Sequence, residues 1–271
     1  VNDQVNHQED LIISGVTKTF GSGSKAVHAL DTINLTVKNK EFVSILGASG
    51  CGKSTLLRII GGLEKPTTGF VSLGGKVTEG PGPDRGMVFQ SYTLFPWLSV
   101  KKNIEFGLKQ KGMPADRRSN IAARYIEIVG LQGFENVYPK ALSGGMQQRV
   151  AIARALANDP EVILLDEPFG ALDMQTRGLM QELLLNVWQQ SQKTVVLVTH
   201  DIDEAIFMAD KVVIMKSRPG QIKQIIDVNL PRPRDYHIRT SSAFLKYKAE
   251  AVELVRNESM KELDMDKLNV L

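Results

Sequence analysis

The sequence predicts an α/β fold: a core with a mainly parallel sheet, an antiparallel β subdomain and a helical subdomain. Three observations predict it. The apolar run Phe42-Val43-Ser44-Ile45-Leu46 leads through a glycine-rich loop into the helical pattern Leu56-Leu57-Arg58-Ile59-Ile60, so strand, loop and helix follow in that order. Three later runs, Val162-Ile163-Leu164-Leu165, Val195-Val196-Leu197-Val198 and Val212-Val213-Ile214-Met215, are apolar on both faces and alternate with helical stretches, as buried parallel strands do. From Val100 to about Asn158, apolar residues such as Ile121, Tyr125, Ile128 and Val129 recur at helical spacing among Lys, Arg and Glu, the pattern of a helical insertion.

Taken in order, residues 1 to about 9 are polar and expected to be loose. Leu11-Ile12-Ile13, Ala29-Leu30, Ile33 to Val37 and Glu41 to Leu46 read as short strands, separated by turn signals such as Gly21-Ser22-Gly23-Ser24 and Lys38-Asn39-Lys40. An antiparallel layer follows from them. Gly61-Gly62 and Pro66 stop the first helix, and Gly69 to Gly75 reads as one more strand and turn. Arg85 to Gln90 reads as a core strand with Gln90 where it meets a loop. Near the end, Ile222 to Val228 reads as a last strand, Pro231 and Pro233 as a breaker, and Ser241 to about Glu258 as a helix. The whole is expected to be one domain, with a core over 10–90 and 160–228, a helical subdomain over 91–159 and a helical tail over 229–271.

The 271 residues suffice for one sizeable α/β domain with a subdomain. The 33 basic residues nearly match the 30 acidic ones, and no long basic run appears, so nucleic acid is not an expected partner. The single cysteine, Cys51, cannot form an internal disulfide, which fits a reducing compartment. It reads as a small loop residue in preference to a redox switch. No apolar run approaches the ~18 residues needed to span a bilayer. The start Val1-Asn2-Asp3-Gln4 lacks a basic n-region and an apolar h-region, so cytosolic character is expected, and any membrane attachment must come through another protein.

The loop Gly47-Ala48-Ser49-Gly50-Cys51-Gly52-Lys53-Ser54-Thr55 satisfies the P-loop pattern G-x-x-x-x-G-K-[ST] between a strand and a helix. Its glycines let consecutive N–H groups approach a polyphosphate, and the helix dipole favours negative charge there. Lys53 is expected to reach the β/γ-phosphates, and Ser54 to put its hydroxyl on Mg²⁺. Far along the chain, Val162 to Leu165 ends in Asp166-Glu167-Pro168. One carboxylate at such a strand tip can serve the Mg²⁺ shell, and a second can orient a water toward the γ-phosphate. Ala171-Leu172-Asp173 and Thr199-His200-Asp201 follow. Ser143-Gly144-Gly145, opening the helical pattern Val150 to Arg154, is a second anion-ready helix start.

Together and in this order, the phosphate loop, Gln90, Leu142-Ser143-Gly144-Gly145-Met146-Gln147-Gln148-Arg149, Ile163 to Pro168, Ala171-Leu172-Asp173 and Val198 to Asp201 resemble the nucleotide-binding subunit of an ABC transporter, up to about residue 228. The resemblance implies a P-loop ATPase core. It makes Gly47 to Thr55 the Walker A motif, Gln90 the Q-loop residue serving both Mg²⁺ and catalysis, and Leu142 to Met146 the signature. Asp166 becomes the Walker B acid, Glu167 the catalytic glutamate, Asp173 the D-loop acid and His200 the switch histidine, with Phe20 placed to stack on adenine. Met146 stands where the common form has Gln, which removes a polar side chain from the signature. The implied active unit is a homo- or heterodimer with two ATP at its interface.

Phe95-Pro96-Trp97, within Ser91 to Leu98, falls where the family receives a coupling helix of its transmembrane permease, with core of the helical subdomain as the alternative reading. Gly80 to Arg85, Leu94 to Trp97 and Ser217 to Gly220 are similar to the bacterial nitrate, sulfonate and taurine importers. That implies a peripheral subunit on the cytoplasmic face of the inner membrane, served by a periplasmic or extracellular substrate-binding protein. The stretch after Arg234 is expected to be too short for the added regulatory domain of some sugar importers. A soluble ABC ATPase, an importer of an unrelated substrate and a small-molecule P-loop kinase are the alternatives. The kinase would leave Leu142 to Gln148 and His200 unexplained.

Overall fold

A computed structural model describes residues 10–268, so the loose start expected over residues 1 to 9 lies outside the described residues. In chain order the elements are β1 (Leu11–Phe20), β2 (Val27–Val37), β3 (Phe42–Leu46), α1 (Lys53–Ile60), β4 (Thr68–Leu73), β5 (Lys76–Val77), β6 (Arg85–Val88), α2 (Val100–Gln110), α3 (Ala115–Ile128), α4 (Gly144–Ala157), β7 (Val162–Asp166), α5 (Met174–Ser191), β8 (Thr194–Thr199), α6 (Ile202–Met208), β9 (Lys211–Lys216), β10 (Gln221–Asp227) and α7 (Ser242–Leu268). The chain divides into two compact units, one made of residues up to Gly82 and from Thr194 onward, the other of Pro83–Lys193.

In the first unit, β2, β1, β4 and β5 form an antiparallel sheet in that order. Its β2 is one continuous strand where the sequence suggested two short ones. Thr32, with φ 39°, breaks the in-out alternation that a sequence reading follows, and register shifts along β1 between Ile13 and Thr19 absorb the break. The same unit holds β3 between β8 and β9, parallel to both, with β10 antiparallel on β9. Every residue of β3 and β8 is buried, which is why both read as unbroken apolar runs.

In the second unit, β6 and β7 run parallel, Arg85 opposite Val162 through Val88 opposite Leu165. Of β6 only Val88 is fully buried, so this segment is less of a core strand than its apolar tip suggested. The helical insertion resolves into α2, α3 and α4, which share one core of Val100, Ile104, Leu108, Ala122, Ile126, Val150 and Ala153. Each large aliphatic side chain there contributes about 1.5–3 kcal/mol by leaving water.

Candidate functional site

The glycine loop leaves β3 inside the first unit. Gly50 and Gly52 have φ of 82° and 94°, values that side-chain-bearing residues rarely adopt. A Cβ on Gly52 would stand 2.9 Å from the Ala29 carbonyl oxygen, and one on Gly47 would stand 2.7 Å from Cys51 Sγ and 2.9 Å from the Met215 oxygen. The buried Cys51 therefore packs against the loop it belongs to. Lys53 is only 4% exposed. Its Nζ donates to the carbonyl oxygens of Gly47 at 2.9 Å and Ala48 at 2.8 Å. No side chain caps the start of α1, since Gly52 is its N-cap. A tight backbone turn, an ammonium and a helix start without a side-chain cap together fit a polyphosphate such as that of ATP.

Parallel pairing puts Leu46 of β3 opposite Thr199 of β8, so Gly47 and His200 leave neighbouring strands at the same end, where ligands of open α/β sheets sit. The exposed His200 is followed by a capping arrangement that the sequence reading passed over. Asp201 caps α6 by accepting from Glu204 N–H at 3.0 Å, and the buried Glu204 accepts from Thr199 Oγ1 at 3.1 Å. The D-x-x-E spacing of Asp201 and Glu204 is the signal that announces it. Phe20, at the end of β1, is 40% exposed, with Lys18 Nζ 4.7 Å from its ring centre.

In the second unit, Asp166 ends β7 and is buried, and Glu167 follows with φ 43°. A non-glycine residue held there is strained, and such strain concentrates at functional sites. The turn is pinned by the buried Phe169 and by Gly170 N–H donating to the Glu167 oxygen at 3.2 Å. Gln90 lies just past β6, and its Nε2 donates to Glu167 Oε2 at 3.5 Å, which joins two of the expected catalytic residues. Ser143 is the N-cap of α4, its Oγ accepting from Met146 N–H at 3.3 Å. Gly145 lies close to the first turn of α5, since a Cβ there would meet Thr176 Cγ2 at 2.9 Å. Met146 packs its side chain against the helical core, so the missing polar group is replaced by an apolar anchor.

Asp173 caps α5 by accepting from Thr176 N–H at 3.0 Å. That hydrogen bond, from backbone to carboxylate, holds its carboxyl below the usual 3.8. Phe95 stacks between Phe106 at 4.3 Å and Trp97 at 5.7 Å, and Trp97 is 69% exposed, so this end of the aromatic stretch is surface and not core. The described residues contain no group of three or more His, Cys, Asp or Glu placed to hold a metal ion. Hydroxyl, carboxylate and amide oxygens, the donor types that Ser54, Asp166 and Gln90 each carry, are ones that Mg²⁺ accepts, an ion that keeps most of its waters and shares phosphate oxygens. No helix among the described residues is long and apolar enough to cross a membrane.

Comparison with known proteins gives the family and the fold. The family model described as ABC transporter matches residues 30–170. An uncharacterized ABC transporter ATP-binding protein of Methanocaldococcus jannaschii is 54% identical over 253 residues, covering 93% of this chain and 94% of that protein. The nitrate import ATP-binding protein of a Synechocystis species is 46% identical over 260 residues, 94% of this chain and 98% of its own length. The aliphatic sulfonates import ATP-binding protein of Bacillus cereus is 46% identical over 241 residues, covering 89% and 94%. Among solved structures, a dimeric ATP-binding cassette in a post-hydrolysis state, bound to ADP and Pi, superposes with a TM-score of 0.73 at 38% identity, covering 82% of this chain and all of that one. With its P-loop ATPase fold and these relatives, the chain belongs to the ABC transporter family, as an ATP-binding ATPase subunit.

Proposed function

We propose that this subunit drives uptake of a small oxyanion such as nitrate, a sulfonate or taurine, hydrolysing ATP at the interface of a homo- or heterodimer on the cytoplasmic face of the membrane. The observation that carries the hydrolytic part is Glu167, held at φ 43° directly after the buried Asp166 and bonded to Gln90. The nitrate and sulfonate import relatives support the substrate class.

ATP with Mg²⁺ supplies the γ-phosphoryl group and the divalent charge that offsets its oxygens. The N–H groups of Gly47 to Thr55 bind phosphate, and Lys53 gives up loop carbonyls for phosphate oxygens. Ser54, Asp166 and Gln90 are the residues that would serve Mg²⁺, His200 would hold the γ-phosphate, and Phe20 would offer a ring face to adenine. Glu167 orients the attacking water. Ser143, Gly144 and Gly145 of one subunit close over the nucleotide of the other, with Asp173 beside them, so hydrolysis waits on closure. Phe95 and Trp97 offer an aromatic surface to a permease helix, and a substrate-binding protein delivers the solute from outside.

Glu167→Gln keeps the volume but removes the carboxylate, so ATP binding is expected to persist while hydrolysis falls by about 100-fold or more. Wild-type turnover in that variant would remove the glutamate from its role. Recovery from membranes in mild detergent, together with a polytopic partner, is the expected outcome for the transport reading. Recovery only from the soluble fraction would turn the assignment to a non-transport ABC ATPase.

A further inference from the structure

Between Gln90 and the aromatic surface the backbone takes an uncommon course. Tyr92 and Thr93 both have φ of 45°. Neither is glycine, and two such residues in a row persist only where their surroundings over-determine them. Those surroundings centre on one arginine. From α4, Arg154 Nη1 donates to the Thr93 oxygen at 2.8 Å, and Nη2 donates to the Tyr92 oxygen at 3.2 Å and Thr93 Oγ1 at 3.3 Å. Its Cζ lies 5.4 Å from the centre of the Phe95 ring. A planar fork of fixed donors can serve two successive carbonyls and a ring face together, whereas an ammonium cannot. Burial lowers the guanidinium pKa, so its hydration has been exchanged for these contacts.

A second residue holds the far end of the same stretch. Asn103 of α2 accepts from Phe95 N–H at 2.9 Å and donates to the Phe95 oxygen at 3.2 Å and the Leu98 oxygen at 2.9 Å. The Tyr92 hydroxyl oxygen, for its part, lies 3.6 Å from where a Cβ on Gly144 would stand, so the loop touches the start of α4 as well. Arg154 follows Ser143 by eleven residues, about three helical turns, and therefore shares its face of α4.

We propose that Arg154 is a positioning residue of the ATPase: by fixing the carbonyls of Tyr92 and Thr93 to α4, it makes Gln90 and the Ser143–Gly145 helix start move as one body. This rests on the roles proposed above for Gln90 and Ser143. Without the fork, Tyr92 and Thr93 relax toward ordinary φ values, and Gln90, two residues upstream, leaves Glu167. The aromatic surface at Phe95 is tied to the same guanidinium, so a partner helix docking there acts on both ends of α4 at once.

The test is a double-mutant cycle on steady-state ATP hydrolysis by the full chain, using Arg154→Ala, Gln90→Ala and the pair. Arg154→Ala is expected to lower kcat about tenfold with KM for ATP within about twofold, and in the Gln90→Ala background to cost less than about twofold. Arg154→Lys keeps the charge but not the fork, so it should rescue little. It also carries the cycle if the alanine variant does not fold. An equal fold-loss in both backgrounds, wild-type kcat in Arg154→Ala, a loss confined to KM, or wild-type kcat in Gln90→Ala beside a defective Arg154→Ala would each overturn the proposal. Failure of the underlying site reading shows elsewhere, as full hydrolysis by Glu167→Gln.

Discussion

The helix α1 begins at Gly52, in a left-handed conformation that offers its first turn no side-chain cap, whereas α4 begins at Ser143, whose hydroxyl already accepts from Met146 N–H. Both are helix N-termini with the same intrinsic attraction for anions. They differ in what is finished. The first carries its own buried cation, Lys53, neutral partners for that cation, and a backbone that tolerates no added Cβ at Gly47 or Gly52. The second is exposed at Ser143 and Gly144, lacks an acidic residue in its first turn, and has its cap turned onto its own backbone. A start of the first kind can hold phosphate unaided. One of the second kind contributes when something is brought to it, which is the behaviour expected of a surface that closes over another subunit's nucleotide.

The largest expected effect separates the two directly. Lys53→Met removes the ammonium while keeping an apolar stem of similar length, and hydrolysis should fall by about 100- to 1,000-fold. Ligand binding to the first helix start should weaken with it, as read by titration with a fluorescent ATP analogue. Unchanged affinity would mean that the loop N–H groups alone do the binding, and the contrast between the helix starts would lose its main term.

Next come the glycines. Gly52→Ala meets both a φ of 94° and the Ala29 oxygen at 2.9 Å, so it should destabilise by about 1–3 kcal/mol and abolish nucleotide binding. Gly145→Ala meets only the Thr176 methyl at 2.9 Å, inside a helix where alanine is favoured over glycine by up to about 1 kcal/mol. Its melting temperature should stay near wild type while hydrolysis falls, because under the role proposed for Ser143 to Gly145 even a small shift of this helix start away from Thr176 would misplace it at the partner's nucleotide. Gly145→Ala with full activity would reduce this glycine to a helix-packing residue.

Much of this was legible because glycine, lysine and paired acids at fixed spacing have few other uses. The buried strands β3, β7 and β8 announce themselves as apolar on both faces, and the phosphate loop announces itself between a strand and a helix. What stayed hidden shares one physical character. Tyr92 and Thr93 in left-handed conformations, Thr32 in the middle of β2, and Glu167 at φ 43° are residues that a local reading assigns to ordinary backbone, and only tertiary contacts hold them elsewhere. Arg154 likewise reads as one more cation in a helical run, because nothing in its neighbours reveals that it reaches back some sixty residues to two carbonyls.

The smallest expected effect tests whether the second unit's caps differ among themselves. Ser143 caps α4 with a hydroxyl that does not titrate, so Ser143→Ala should cost about 1 kcal/mol at both pH 7 and pH 3. Asp173 caps α5 with a carboxylate whose pKa lies below 3.8 in the folded state, chiefly through Thr176 N–H. Since the folded value is below the unfolded one, its contribution is complete above pH 3.8 and is lost as pH falls through the folded value. Urea midpoints of Asp173→Ala and wild type should therefore draw together at pH 3, while the gap for Ser143→Ala stays constant. A constant gap for both would mean that Asp173 caps by shape and not by charge, which would make the two exposed helix starts of this unit electrostatically alike and leave the buried lysine as the feature that sets α1 apart.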